Sequence, residues 1–128
     1  MTRQKDDFYP TPFIAIEALL DHESFDGDIW EPACGGGAIS APVSLYHNVI
    51  STDLNDYGFG DSGIDFLMEQ KLAAPNIITN PPYKLAQQFI QKAIDLGAKK
   101  HCWLLRLSFL EGQQRRVSLF DKHRPARV

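Results

Sequence analysis

Cysteine is scarce in this chain and long apolar runs are missing. Cys34 and Cys102 are its two cysteines. With neither a CxxC pair nor a ligand-like spacing they give no disulfide framework and point to a reducing interior, expected to be cytoplasmic. No apolar run reaches the ~18 residues of a membrane span. The opening residues, Met1 to Asp7, have no apolar stretch that would read as a signal peptide. His22, His47, His101 and His123 do not fall at metal-ligand spacing, so no metal site is expected. Repeats, low-complexity tracts and linkers are absent. The glycine run at Gly35–Gly37 is not followed by the Lys-Ser/Thr pair of a P-loop.

What is present fits one globular domain spanning 1–128. The 128 residues are 44% hydrophobic and 23% charged, enough apolar material to bury a core. The net charge of −3 hides an asymmetry. Residues 1–80 hold 3 Lys/Arg against 13 Asp/Glu, whereas residues 81–128 hold 10 against 3. The acidic half suits a cationic cofactor and the basic half can face phosphate, although two solvated helices would carry the same lysines and arginines. A pI of about 5.7 argues against tight nucleic-acid binding by the chain alone.

Hydrophobic periodicity predicts alternating strands and helices. Thr11 is an N-cap candidate with Pro12 at the first helical position, opening a helix to about His22. Strands are expected at 28–31, 48–53, 74–79 and 101–107, with a short strand at 64–67 turning into a helix towards Leu72. Helices are expected at 38–46, 84–96 with Gly97 as its cap, and 110–122. Such alternation means βαβ units and a largely parallel sheet.

Two turns concentrate the chemistry. Trp30-Glu31-Pro32-Ala33-Cys34-Gly35-Gly36-Gly37 ends a strand and opens a helix. Its glycines allow a tight turn and close approach of a ligand. Asp53, with Leu54 beside it, closes the next strand 18 positions after Gly35, where nucleoside-binding sheets receive ribose hydroxyls. The second turn is Asn80-Pro81-Pro82-Tyr83. Two prolines fix φ near −65° and withhold N–H groups, making a rigid bend with an amide before it and an aromatic ring after it. Oxygen acceptors and a flat ring suit a planar group bearing an amine.

Asn80-Pro81-Pro82-Tyr83 resembles motif IV of the amino-methyltransferases. The stretch from Glu31 to Gly37 resembles motif I of the DNA adenine methyltransferases, which wraps the methionine part of S-adenosylmethionine (S-adenosyl-L-methionine). Ile64-Asp65-Phe66-Leu67 is similar to motif III, in which the acid meets the cofactor's adenine and the next residue packs on its ring; Asp61 is the alternative acid. Phe8-Tyr9-Pro10-Thr11-Pro12 resembles motif X, at the cofactor's carboxylate end; a hydrophobic staple would explain Tyr9 equally well, and Thr11 fits a helix cap whether or not the site is there. The order X, I, II, III, IV looks like the gamma arrangement of adenine-N6 DNA methyltransferases of bacterial or phage type.

The resemblance implies a Rossmann-like class I methyltransferase fold, a mainly parallel sheet with helices on both faces. It implies cofactor contacts from Tyr9, Thr11, Glu31, Pro32, Ala33, Cys34, Gly35, Gly37, Asp53, Leu54, Asp65, Phe66 and Asn80, and chemistry at Asn80, Pro81, Pro82 and Tyr83. DNA is the implied substrate, its adenine flipped from the stack onto Tyr83. The family's sheet has seven strands, so the C-terminal strands and a target-recognition domain are expected to be missing. A partner chain or homo-oligomer is then expected to cover the edge at 101–107. Methylation of protein glutamine or of RNA, an inactive cofactor-binding module and a nicotinamide-dependent oxidoreductase remain as alternatives.

Overall fold

The computed structural model of the chain describes residues 11–105. Tyr9, the last residues of the expected strand at 101–107 and the expected helix at 110–122 lie outside them. Four strands form one parallel sheet: β1 (Ile29–Glu31), β2 (Val49–Ser51), β3 (Asn76–Thr79) and β4 (Lys100–Trp103). Their order across the sheet is β2-β1-β3-β4. Ile29 pairs with Val49 on one side and with Asn76 on the other, and Asn76 pairs in turn with Lys100.

Side-chain alternation divides the core between the two faces of the sheet. Ile29 and Ile78 pack with Ile16 of helix α1 (Phe13–His22) and with Ile39 and Val43 around the short helix α2 (Ser40–Val43). Trp30 and Ile77 face the other way. They pack with Phe66 and with Phe89 and Ala93 of α3 (Ala86–Leu96). The result is a small three-layer α/β/α unit, compatible with a Rossmann-like fold. Each large side chain so buried contributes about 1.5–3 kcal/mol. None of the helices among the described residues is long and apolar enough to cross a membrane.

Several local expectations are corrected. Pro12, rather than Thr11, takes the N-cap of α1: it is extended (ψ 139°) and no side chain caps the helix. The helix expected at 38–46 is regular only over Ser40–Val43. Pro42 within it has no N–H to donate. Beyond it, Leu45 and Tyr46 bond back three residues, to Pro42 and Val43, in tight 3₁₀ fashion.

Of the short strand expected to turn into a helix from Ile64 towards Leu72, only the helical part forms, as the 3₁₀ turn Phe66–Met68, which the Asp65 carboxylate caps by accepting from Leu67 N–H. An isolated parallel bridge joins Thr52 to Asp61 in the loop after β2. The helix after the two prolines starts two residues late, through a 3₁₀ turn at Tyr83–Leu85. It closes as expected on Gly97 in the left-handed region (φ 82°).

Candidate functional site

The chain leaves β1 for β2 on one side of the sheet and then crosses back to β3 on the other. The connections therefore diverge between β1 and β3, and in open α/β sheets the crevice at such strand ends is where ligands bind. Both turns singled out in the sequence leave these two strands. Residues 32–37 follow β1 and residues 80–83 follow β3.

The glycine turn is held from below. Cys34 N–H donates to Thr52 carbonyl (2.9 Å), Gly35 N–H to Asp53 Oδ2 (2.9 Å) and Gly37 N–H to Cys34 carbonyl (2.9 Å). Three of the four amides from 34 to 37 are thus spent on protein acceptors. Gly35 and Gly37 have φ of 53° and 92°, a region that side chains avoid. At Gly37 a Cβ would also lie 2.7 Å from the Phe59 ring, and at Gly60 one would lie 2.6 Å from the Ser51 carbonyl. The loop after β2 is thereby packed onto the turn, and the Cys34 thiol points at Phe59 carbonyl (3.6 Å). On its other side the turn is open: a Cβ at Gly36 would meet nothing within 4 Å. That is where a ligand can approach the backbone.

The acids around the turn differ in what they do. Asp53 is 2% exposed and its second oxygen accepts from Asn55 N–H (2.9 Å), so it anchors the turn at the end of β2. Leu54 beside it is well exposed. Asp65 is half-buried and caps its own turn. Phe66 is a core residue, 1% exposed and edge-on to Trp30 with ring centroids 5.1 Å apart. Its ring belongs to the floor under Ala33, which corrects the expectation that it offers a face to a cofactor.

Glu31 is also buried, at 2% exposure. Ser40 Oγ donates to its Oε1, and Thr79 Oγ1 donates to its Oε2 at 3.3 Å. Burial pushes its carboxyl up to about 8 against the pull of these hydroxyls, and the nearby Asp53 adds to the rise. Glu31 therefore acts within the fold, beneath the turn, rather than on its open surface. Pro32, Ala33 and Cys34 are buried with it.

Across the crevice, Pro81 and Pro82 are buried and Asn80 is half-buried. Pro82 carbonyl accepts from Leu85 N–H (2.9 Å) and closes the 3₁₀ turn. Asn80 Nδ2 donates to Thr11 Oγ1 at 3.3 Å, which brings a residue of the expected motif X onto the expected motif IV. Thr11 is thus a contact of the site rather than a cap. Tyr83 is half-buried and packs toward Ala86 and Ile90 of α3, beside Trp103.

Sequence reading missed Ser40, Ser51, Phe59 and Thr79. For the hydroxyls there was a signal: a carboxyl at the end of an apolar strand demands donors, and hydroxyls at neighbouring strand ends are the natural source. For Phe59 there was none, because its contact with Gly37 is purely tertiary. Among the described residues, no three His, Cys, Asp or Glu gather as a metal site. No family model matches the chain, and a search of the curated proteins finds no match.

Proposed function

We propose that this protein transfers a methyl group from S-adenosylmethionine to the exocyclic N6 amine of adenine in DNA. The observation that carries the reading is the chemistry of the two turns that share the crevice. The glycine turn has committed three of its four amides, to Thr52, Asp53 and Cys34. The helix after it is four residues long. Both features are poor for a diphosphate, which needs free N–H groups at a helix start. An open glycine backbone anchored on Asp53 suits instead a phosphate-free nucleoside of net positive charge. A dinucleotide-dependent oxidoreductase is correspondingly disfavoured, and it would leave the Asn-Pro-Pro-Tyr turn without a purpose.

Bound S-adenosylmethionine supplies an electrophilic methyl group on a sulfonium. The fold's part begins with holding that cofactor along residues 33–37, with Asp53 and Asp65 at the nucleoside end. Asn80 turns its Nδ2 to Thr11. Oδ1 and the Pro81 carbonyl accept hydrogen bonds from the substrate amine. An aromatic amine is a poor nucleophile because its lone pair is shared with the ring. Two acceptors favour a tetrahedral nitrogen and stabilise the positive charge that grows as nitrogen attacks carbon. With the methyl group transferred, the amine nitrogen would give up one proton to solvent. Tyr83 stacks on the extruded base, offsetting part of the few kcal/mol that flipping costs. Cys34 is not a nucleophile here, being buried with its thiol on carbonyl oxygens.

The test is incubation of the protein with methyl-labelled cofactor and DNA, followed by digestion and nucleoside mass analysis. N6-methyl-2′-deoxyadenosine is expected from the wild type and not from Asn80→Ala, whose cofactor affinity stays within a few-fold. Label in protein or RNA alone would overturn the substrate assignment. Loss of cofactor binding in Asn80→Ala would overturn the role given to Asn80.

A further inference from the structure

We propose that Glu31 and Thr79 are positioning residues that latch the glycine turn to the Asn-Pro-Pro-Tyr turn, the Thr79 hydroxyl swinging between the Glu31 carboxyl and the Ala33 carbonyl as Glu31 loses or gains a proton. The latch is read from the two acceptors within reach of one hydroxyl and from the buried carboxyl's raised affinity for its proton; only its effect on cofactor affinity rests on the function proposed above.

Thr79 is the last residue of β3, immediately before Asn80, and is fully buried. Its Oγ1 lies 3.3 Å from Glu31 Oε2 and 3.4 Å from Ala33 carbonyl. One hydroxyl has one proton and two acceptors within reach, and one of those acceptors belongs to the glycine turn. With Glu31 ionised, Thr79 donates to the carboxylate. With Glu31 protonated, the carboxyl O–H donates to Thr79 Oγ1, whose own proton turns to Ala33 carbonyl. A single proton is exchanged with solvent and no heavy-atom bond changes.

The proton has a route. Ser51 Oγ donates to Ser40 Oγ at 2.7 Å, and Ser40 donates to Glu31, so hydroxyls run from the half-buried end of β2 to the buried carboxyl. The groups that face Glu31 are Ser40 from α2, Thr79 from β3 and Asp53 from the end of β2. Asp53 is the charged one, and it also holds Gly35 N–H. A net cationic ligand settling on the turn favours the ionised form of Glu31, so its binding releases a proton near neutral pH.

The experiment is a carbon-13 NMR titration of the 128-residue protein, following the Glu31 carboxyl and the Ala33 carbonyl. In the wild type both signals are expected to move with one midpoint. In Thr79→Val the Ala33 signal stops following Glu31, whose midpoint rises because a donor to the carboxylate is gone. Thr79→Ser restores both.

Calorimetric titration with S-adenosylmethionine, in buffers of different ionisation heat, adds the functional readout. Thr79→Val is expected to weaken binding by about tenfold and Thr79→Ser to stay within about threefold, the range of one hydrogen bond. Glu31→Gln is expected to release fewer protons on binding. An Ala33 signal independent of Glu31 in the wild type overturns the latch, and so does equal proton release from Glu31→Gln. If Thr79→Val fails to fold, the wild-type and Thr79→Ser titrations still decide. A folded wild type that binds no S-adenosylmethionine overturns the proposed function instead, while the carbon-13 titration judges the latch separately.

Discussion

The two sides of the crevice are built in opposite ways. On the side of Asn80, regular structure does the holding: β3 and β4 pair along four residues each, and α3 lays Ala86, Phe89, Ile90 and Ala93 inward before ending on Gly97. On the glycine-turn side there is little regular structure. A three-residue strand, a four-residue helix and a looping stretch are fastened by individual polar contacts: Trp30 Nε1 to Thr52 Oγ1, Gly35 to Asp53, Ser40 to Glu31. One side is stabilised by burying area, which tolerates shape-conserving change. The other depends on a few atoms that have no substitute. Chemistry that needs a fixed amide beside a ligand-shaped backbone has reason to combine the two.

The largest expected effect that separates them is driven by pH. Glu31 binds its proton more tightly folded than unfolded, because its carboxyl rises from 4.5 to about 8 on burial. That contribution to stability is complete below the unfolded value and is lost as pH rises between about 4.5 and 8. Urea midpoints of the wild type should therefore fall across this window, and those of Glu31→Gln should fall less. Parallel slopes would mean that the carboxyl titrates alike in both states.

Next is Phe66, where the two sides meet: its ring touches Trp30 of β1 and Phe89 of α3, with centroids 5.1 Å and 5.0 Å away. Phe66→Ala is expected to cost about 3–5 kcal/mol in chemical denaturation, as other buried aromatic truncations do. A loss below about 1 kcal/mol would show that the halves are stable without each other.

The smallest effects compare two glycines of similar φ, one from each side. At Gly60 (φ 69°) a Cβ would strike the Ser51 carbonyl, whereas at Gly97 (φ 82°) it would meet nothing. Gly60→Ala should cost roughly 2–3 kcal/mol and Gly97→Ala about 1 kcal/mol, since only the first adds a backbone clash to the strain. Equal losses would erase the distinction drawn between the sides.

The same contrast explains how much was legible beforehand. β1, β2, β3, β4, α1 and the cap at Gly97 follow from periodicity and punctuation, because those elements are specified by local pattern. The stretch from Ile64 to Leu67 reads as a strand by its Ile and Phe, yet Asp65 bends it and Phe66 is drawn to Trp30 in the core. The helix expected at 38–46 is regular only over Ser40–Val43 and passes into 3₁₀ bonds at Leu45 and Tyr46. Of the candidate site, Asn80 and the glycine turn were visible as residue types. The inward turn of Glu31 and the packing of Phe59 over Gly37 were not, since both depend on partners from distant parts of the chain. Tyr9 lies outside the described residues.

The chain has two tryptophans, and each side of the crevice owns one. Trp30 is sealed in the core with its indole N–H on Thr52. Trp103 is half-buried in β4 with its indole N–H on His101 Nδ1 at 2.7 Å, and burial holds His101 below its ordinary value, keeping that nitrogen an acceptor. Fluorescence from the molecule is therefore a two-channel signal. A quencher in solvent reaches the emitter beside Asn80's strand well before the one beneath the glycines, so the two walls of the crevice can be watched separately as they loosen.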